Sequence, residues 1–363
     1  MKDAKLLTAA GWAAGYGTLA LGWAITGRGF PYGPNDPDND LGSTLRSVDP
    51  DVGSPVFAAV LLTTAVALLI AAGTPAPSRP VRYAVLGLLW LVAGALLIVV
   101  PDTRLLALAG YAPMLIIGLP FGWPPVDYGD IFTWTLGNEV LSVLGGVLIV
   151  RAALAWQRRT AGACEACGRT GGDDWTSPQA AARWGRVVTL IAAVIPALYA
   201  VSRLSWALGI PLGIDSTFLG EMRTEGILVA AAGLGSFALA GSVLTLGLIQ
   251  RWGERFPRWM IGLAGRPVPI RLATVPATVV TILVGAASVA LFTASDAGNL
   301  FSGASAPALM WPLWSVTLGL ATYAYHLRRR PPCTVCGRPA AGEQDQPESV
   351  PEGVVPSTGA GAY

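Results

Sequence analysis

All four cysteines of the chain fall in two short units of one pattern, Cys164-Glu165-Ala166-Cys167-Gly168-Arg169 and Cys333-Thr334-Val335-Cys336-Gly337-Arg338. Two thiols at this spacing reach a single metal ion, and the following glycine permits a tight turn that aims backbone N–H groups at sulfur. Together Cys164, Cys167, Cys333 and Cys336 supply the four thiolates of a tetrahedral structural zinc (Zn2+) site. The stretch between the two units is far too long for a local zinc ribbon, so the fold must bring them together. A thioredoxin-like dithiol is the rival chemistry, and it calls for a helix starting at the first cysteine. Gly171-Gly172 after one unit and Pro339 after the other argue against that helix. Knuckles that hold no metal are the third reading.

Other chemistry is sparse. Arg203 and Glu139, the latter preceded by Asn138, stand inside apolar stretches, where ionisable groups are costly and are functional candidates by default. Arg203 lies seven residues before the end of its stretch at Ile210 and Glu139 seven past the start of its own at Phe132, both roughly 10 Å below the outer boundary at the helical rise. That match predicts an Arg203–Glu139 pair, the alternative being an arginine that snorkels to headgroups. His326 is the single histidine, which excludes bis-histidine haem and a histidine-rich metal centre. It reads as an interfacial side chain near the end of the last apolar stretch. Asp36, Asp38 and Asp40 alternate like the start of a calcium loop. Leu41 and Ser47, however, stand where that loop needs glycine and glutamate, so a solvated acidic loop is expected. No phosphate-binding glycine loop, serine–lysine pair or histidine-activated nucleophile is visible.

The elements that position these residues are apolar. The chain is 53% hydrophobic and 13% charged, about half the charge of soluble domains, and its mean hydropathy is +0.55. Stretches near the length of a membrane-spanning helix run over residues 6–26, 55–72, 84–100, 132–156, 187–210, 226–250, 273–293 and 306–327. The first is long enough to be a retained span rather than a cleaved signal. These stretches predict an all-α polytopic bundle of about eight spanning helices. Residues 105–120, shorter and broken by Gly110, Pro113, Gly118 and Pro120, read as a re-entrant or interfacial outer segment.

Basic residues orient the bundle, because cytoplasmic loops retain them. With the N-terminus inside, inner segments carry 18 Lys and Arg against four outside, Arg28, Arg46, Arg104 and Arg223. Counting residues 105–120 as another crossing would turn the arginine-rich loops outward. Both termini and both cysteine units are therefore expected on the cytoplasmic side of the inner membrane. A net charge of +2 without a basic stripe excludes a nucleic-acid partner. The 13 tryptophans, mostly near helix ends, read as interfacial belts.

An internal duplication is also legible. Tyr16, Trp23 and Ala24 followed by Gly29-Phe30-Pro31-Tyr32-Gly33 match Tyr199, Trp206 and Ala207 followed by Gly209-Ile210-Pro211-Leu212-Gly213. Each half then closes on arginines and a cysteine unit. Two parallel repeats follow, residues 1–170 and 183–338, with a disordered cytoplasmic tail at 339–363. With its Gly-x-Pro-x-Gly turns and Cys-x-x-Cys-Gly-Arg endings, the chain resembles uncharacterised polytopic inner-membrane proteins of high-GC actinobacteria. That resemblance implies inner-membrane residence and no activity. Three function classes stay open: a transporter or small-molecule or lipid-binding protein, a membrane scaffold or sensor subunit with a cytoplasmic protein partner at the knuckles, and a thiol redox enzyme.

Overall fold

The computed structural model describes residues 4–37, 43–74, 77–121, 127–169, 175–224, 226–294 and 306–338. Asp38, Asp40 and the tail at 339–363 lie outside the described residues. The described chain is helical and has no strand, only an isolated bridge between Arg255 and Pro267. Its helices are α1 (Ala4–Thr26), α2 (Pro50–Gly73), α3 (Arg79–Gly94, continued by a π turn over Ala95–Val99), α4 (Thr103–Gly118), α5 (Tyr128–Ile131) and α6 (Trp134–Thr160). After these come α7 (Pro178–Ala207), α8 (Ser216–Thr224), α9 (Ile227–Leu246), α10 (Ile270–Ala294) and α11 (Trp311–Arg328).

Local chemistry sets the starts. Asp49, Asp102, Thr133 and Ser177 each cap a helix by accepting from a backbone N–H two or three residues on. Proline opens the first turn of α2, α3 and α7, where its missing N–H costs nothing.

Six helices, α2, α3 with its π turn, α6, α7, α9 and α10, are long and apolar enough to cross a membrane. A seventh would be α4 with the turn to Phe121, bent by 50° at its break. The bend falls inside the stretch expected to be re-entrant or interfacial. The remaining expected spans coincide with α1 and α11. Large apolar side chains face outward as lipid contact requires, Leu91 at 75% exposure and Val229 at 80% among them.

The packing order is the same in both sets of four long helices. In the first, α1 lies on α2 and α6, and α3 lies on α6. In the second, α7 lies on α9 and α11, and α10 lies on α11. Arginines at the end of the last helix of each set reach the end of its second helix. Arg159 donates to the Ala71 carbonyl and Arg328 to that of Leu248. The turn glycines match as well, all with positive φ: Gly29 at 91° and Gly33 at 68°, Gly209 at 81° and Gly213 at 75°. The two sets meet where α10 packs on α4 and on the π turn, with Leu105, Leu136 and Leu283 buried between them.

Candidate metal centre and buried ion cluster

Two groups of chemically capable residues stand at opposite ends of the bundle. One follows α6 and α11; the other gathers near the starts of α4 and α6, with Asp36 from the loop after α1. About 31 Å of α6 separates Glu139 from Thr160 at the helical rise.

At the first end the two cysteine units fold alike. The Cys164 N–H donates to Arg169 O at 3.2 Å and the Gly168 N–H to Cys164 O at 2.7 Å. The second unit repeats this, from Cys333 to Arg338 O at 2.9 Å and from Gly337 to Cys333 O at 2.9 Å. Gly168 and Gly337 hold φ of 73° and 70°, the left-handed turn that favours glycine. These turns bring all four sulfurs within 4.8 Å of one another. Cys164 Sγ lies 3.9 Å from Cys333 Sγ, and Cys167 Sγ lies 3.7 Å from Cys336 Sγ. Four thiolates around one tetrahedral ion at metal–sulfur bonds of about 2.3 Å would stand about 3.8 Å apart. The quartet therefore fits a metal ion.

Arginines fasten the two units together. Arg169 donates to the carbonyls of Arg338, Arg330 and Pro331. The buried Arg330 donates to Cys167 O at 3.4 Å and Thr176 O at 2.8 Å. Backbone N–H groups of Cys167 and Ala166 pull the Cys164 thiol down to about 6. Those of Cys336 and Val335 lower Cys333 in the same way. Burial instead pushes Cys167 up to about 11. His326 is exposed on the last turn of α11 and is not among the grouped ligands.

At the other end, the Arg104 guanidinium is shared by three carboxylates. It meets both oxygens of Asp36 at 2.9 and 2.7 Å, Asp102 as close as 2.5 Å, and Glu139 Oε1 at 3.2 Å. All three acid side chains are at most 1% exposed. Thr135 donates to Pro31 O and to Asp36. Asn138 accepts from the Tyr16 hydroxyl at 3.0 Å and donates to Trp134 O.

Two expectations are corrected here. Asp36 is not in a solvated loop; it is 4% exposed and chelates Arg104. Glu139 takes Arg104 as its cation in place of Arg203. The reason lies in packing: α6 lies against α1, α3 and α4, which offers Glu139 the start of α4, whereas α7 lies against α9 and α11. Arg203 turns to its own helix, its guanidinium 4.6 Å from the Tyr199 ring centre and 4.0 Å from that of Trp206. Asp102 and Arg104 escaped notice because an arginine between apolar stretches was counted as loop charge. The available signal was Asp102-Thr103-Arg104, an N-cap acid with a cation two residues on, directly before a helical run.

Fold and site define a multi-pass, membrane-type helical protein with a clustered four-cysteine site. Comparison with family models, curated proteins and solved structures found no match.

Proposed function

We propose that this chain is a transporter-like or small-molecule- or lipid-binding protein of the inner membrane, its two parallel four-helix halves stapled on the cytoplasmic side by a structural zinc. The observation that carries the reading is the convergence of four sulfurs from equivalent places in the two halves. Stable disulfides do not suit a reducing cytoplasm, and a borderline-soft ion with four thiolates and no open position is structural zinc. A staple at one end leaves relative movement to the other. There the halves meet through α4 and α10, beside the buried charges, and the bent α4 is the part free to open a path. Eight crossings, α1 and α11 included, put the N-terminus and both knuckles on one side.

Elemental analysis of the purified full-length protein tests the staple: one zinc per chain is expected, and Cys336→Ser releases it and lowers the melting temperature. After chelation at neutral pH, Cys164 is alkylated first and Cys167 last. A metal-loaded, unchanged Cys336→Ser protein ends the zinc reading. Uptake of a panel of labelled solutes into proteoliposomes tests transport, with a protein-dependent flux expected. No flux for any class, together with a specific protein captured at the knuckles, selects the scaffold instead. The exposed Cys336 and Val335, the latter 71% exposed, favour that second reading.

A further inference from the structure

The buried cluster leaves one acceptor unmet. Among the described residues around it, three carboxylates, Asp36, Asp102 and Glu139, face one guanidinium, that of Arg104. Five of the six carboxylate oxygens are hydrogen-bonded to Arg104. The sixth, Glu139 Oε2, is buried and has no hydrogen-bond partner. The Tyr16 hydroxyl donates to Asn138, the Asn138 amide donates to Trp134 O, and Tyr32 shares a hydrogen bond with Ser142. An unmet acceptor on a buried carboxylate is expensive.

A positive charge is the chemical answer, and the geometry limits its kind. Calcium takes six to eight oxygen ligands and magnesium a near-ideal octahedron. Only one carboxylate oxygen is open while the other five are held by Arg104, too few anionic ligands for a calcium site. A single positive charge matches the single open oxygen: a proton binds it directly, and an alkali-metal ion would complete its shell with carbonyls or water. We propose that Glu139 Oε2 is the binding point for one small monovalent cation, a proton or an alkali-metal ion. Arg104, itself held by Asp36 and Asp102, fixes the Glu139 carboxylate in place. This rests on the transporter-like reading and deepens it, since a buried ion at the opening end of the halves is suited to coupling.

The test uses full-length, zinc-loaded protein in lipid nanodiscs. Melting temperature is followed from acid to alkaline pH in choline buffer, and then across sodium concentrations at fixed pH, for wild type and Glu139→Gln. The amide keeps the shape and a donor while removing the charge. The wild-type melting point is expected to rise with cation by several degrees, and Glu139→Gln is expected to lose that dependence while keeping the cation-saturated melting point. A response to pH alone identifies the proton; a response to sodium at fixed pH, with saturable uptake of radioactive sodium, identifies the metal ion. A wild-type protein flat in both titrations overturns the proposal without reference to any variant, as does an equal response in Glu139→Gln. Either failure leaves the solute-flux result standing, so the cation site and the transport reading fall separately.

Discussion

Tyr16 and Trp23 in α1 occupy the same places as Tyr199 and Trp206 in α7, yet the two pairs hold different things. In α1 the rings meet edge to face at 5.9 Å, because the residue between them is Ala20, fully buried. In α7 that residue is Arg203, and its guanidinium lies over both rings. The first half keeps its charges off the aromatic column and gathers them at Arg104. The second half spends the column on a single cation, that of Arg203, held over two ring faces. One backbone plan thus handles buried charge in two ways, and one side chain between two aromatic positions selects which.

The sharpest break of this comparison is Arg104→Ala set beside Arg203→Ala. Removing Arg104 orphans buried carboxylates and is expected to cost about 3–5 kcal/mol. Removing Arg203 forfeits ring contacts worth about 1 kcal/mol. Thermal and denaturant melting in detergent compares them, and equal losses would dissolve the distinction. The pairing can be sharpened with double mutants. Arg104→Ala with Glu139→Ala should be coupled by more than about 1 kcal/mol, while Arg203→Ala with Glu139→Ala should be additive.

Next are the turns. A Cβ on Gly33 would lie 2.1 Å from the Val48 carbonyl oxygen, at a φ of 68°. Gly33→Ala should therefore cost about 2–3 kcal/mol. At Gly209 the added carbon meets only the flexible end of Arg223, at 3.0 Å. Gly209→Ala should cost about 1 kcal/mol, from the backbone conformation alone. The same melting assay ranks the two. The smallest expected difference is in the hydroxyls: Tyr16→Phe gives up the bond to Asn138 and about 1 kcal/mol. Tyr199→Phe should be nearly silent, since its hydroxyl makes no such bond to the described residues.

How much of this could be read in advance follows from the range of each interaction. Spanning helices are local in sequence, and the apolar stretches foretold every long helix to within a few residues at most ends, though α7 begins earlier, at Pro178. The cysteine quartet was legible despite its separation, because the matching Cys-x-x-Cys-Gly-Arg units after arginines at the ends of α6 and α11 suggested proximity. The ion cluster was not. Asp36, Arg104 and Glu139 come from three segments 68 and 35 residues apart, and nothing in either half repeats them. Their union depends on how the loop after α1 folds under the start of α4. Depth along a helix was a sound guide to where Glu139 lies, and gave no information about which helix faces it.

The separation of the cysteines also orders events at the ribosome. Cys164 is synthesised 169 residues ahead of Cys333, with four long helices still to be made and inserted. Until the last of them is threaded, the first knuckle is only half of a chelate. A chain stalled or truncated before α11 cannot close the ring of sulfurs, however well its first four helices pack. On the proposed zinc staple, metal capture is thus a terminal step of biogenesis. Pulse-labelled chains should acquire chelator-resistant zinc only after α11 is in the bilayer.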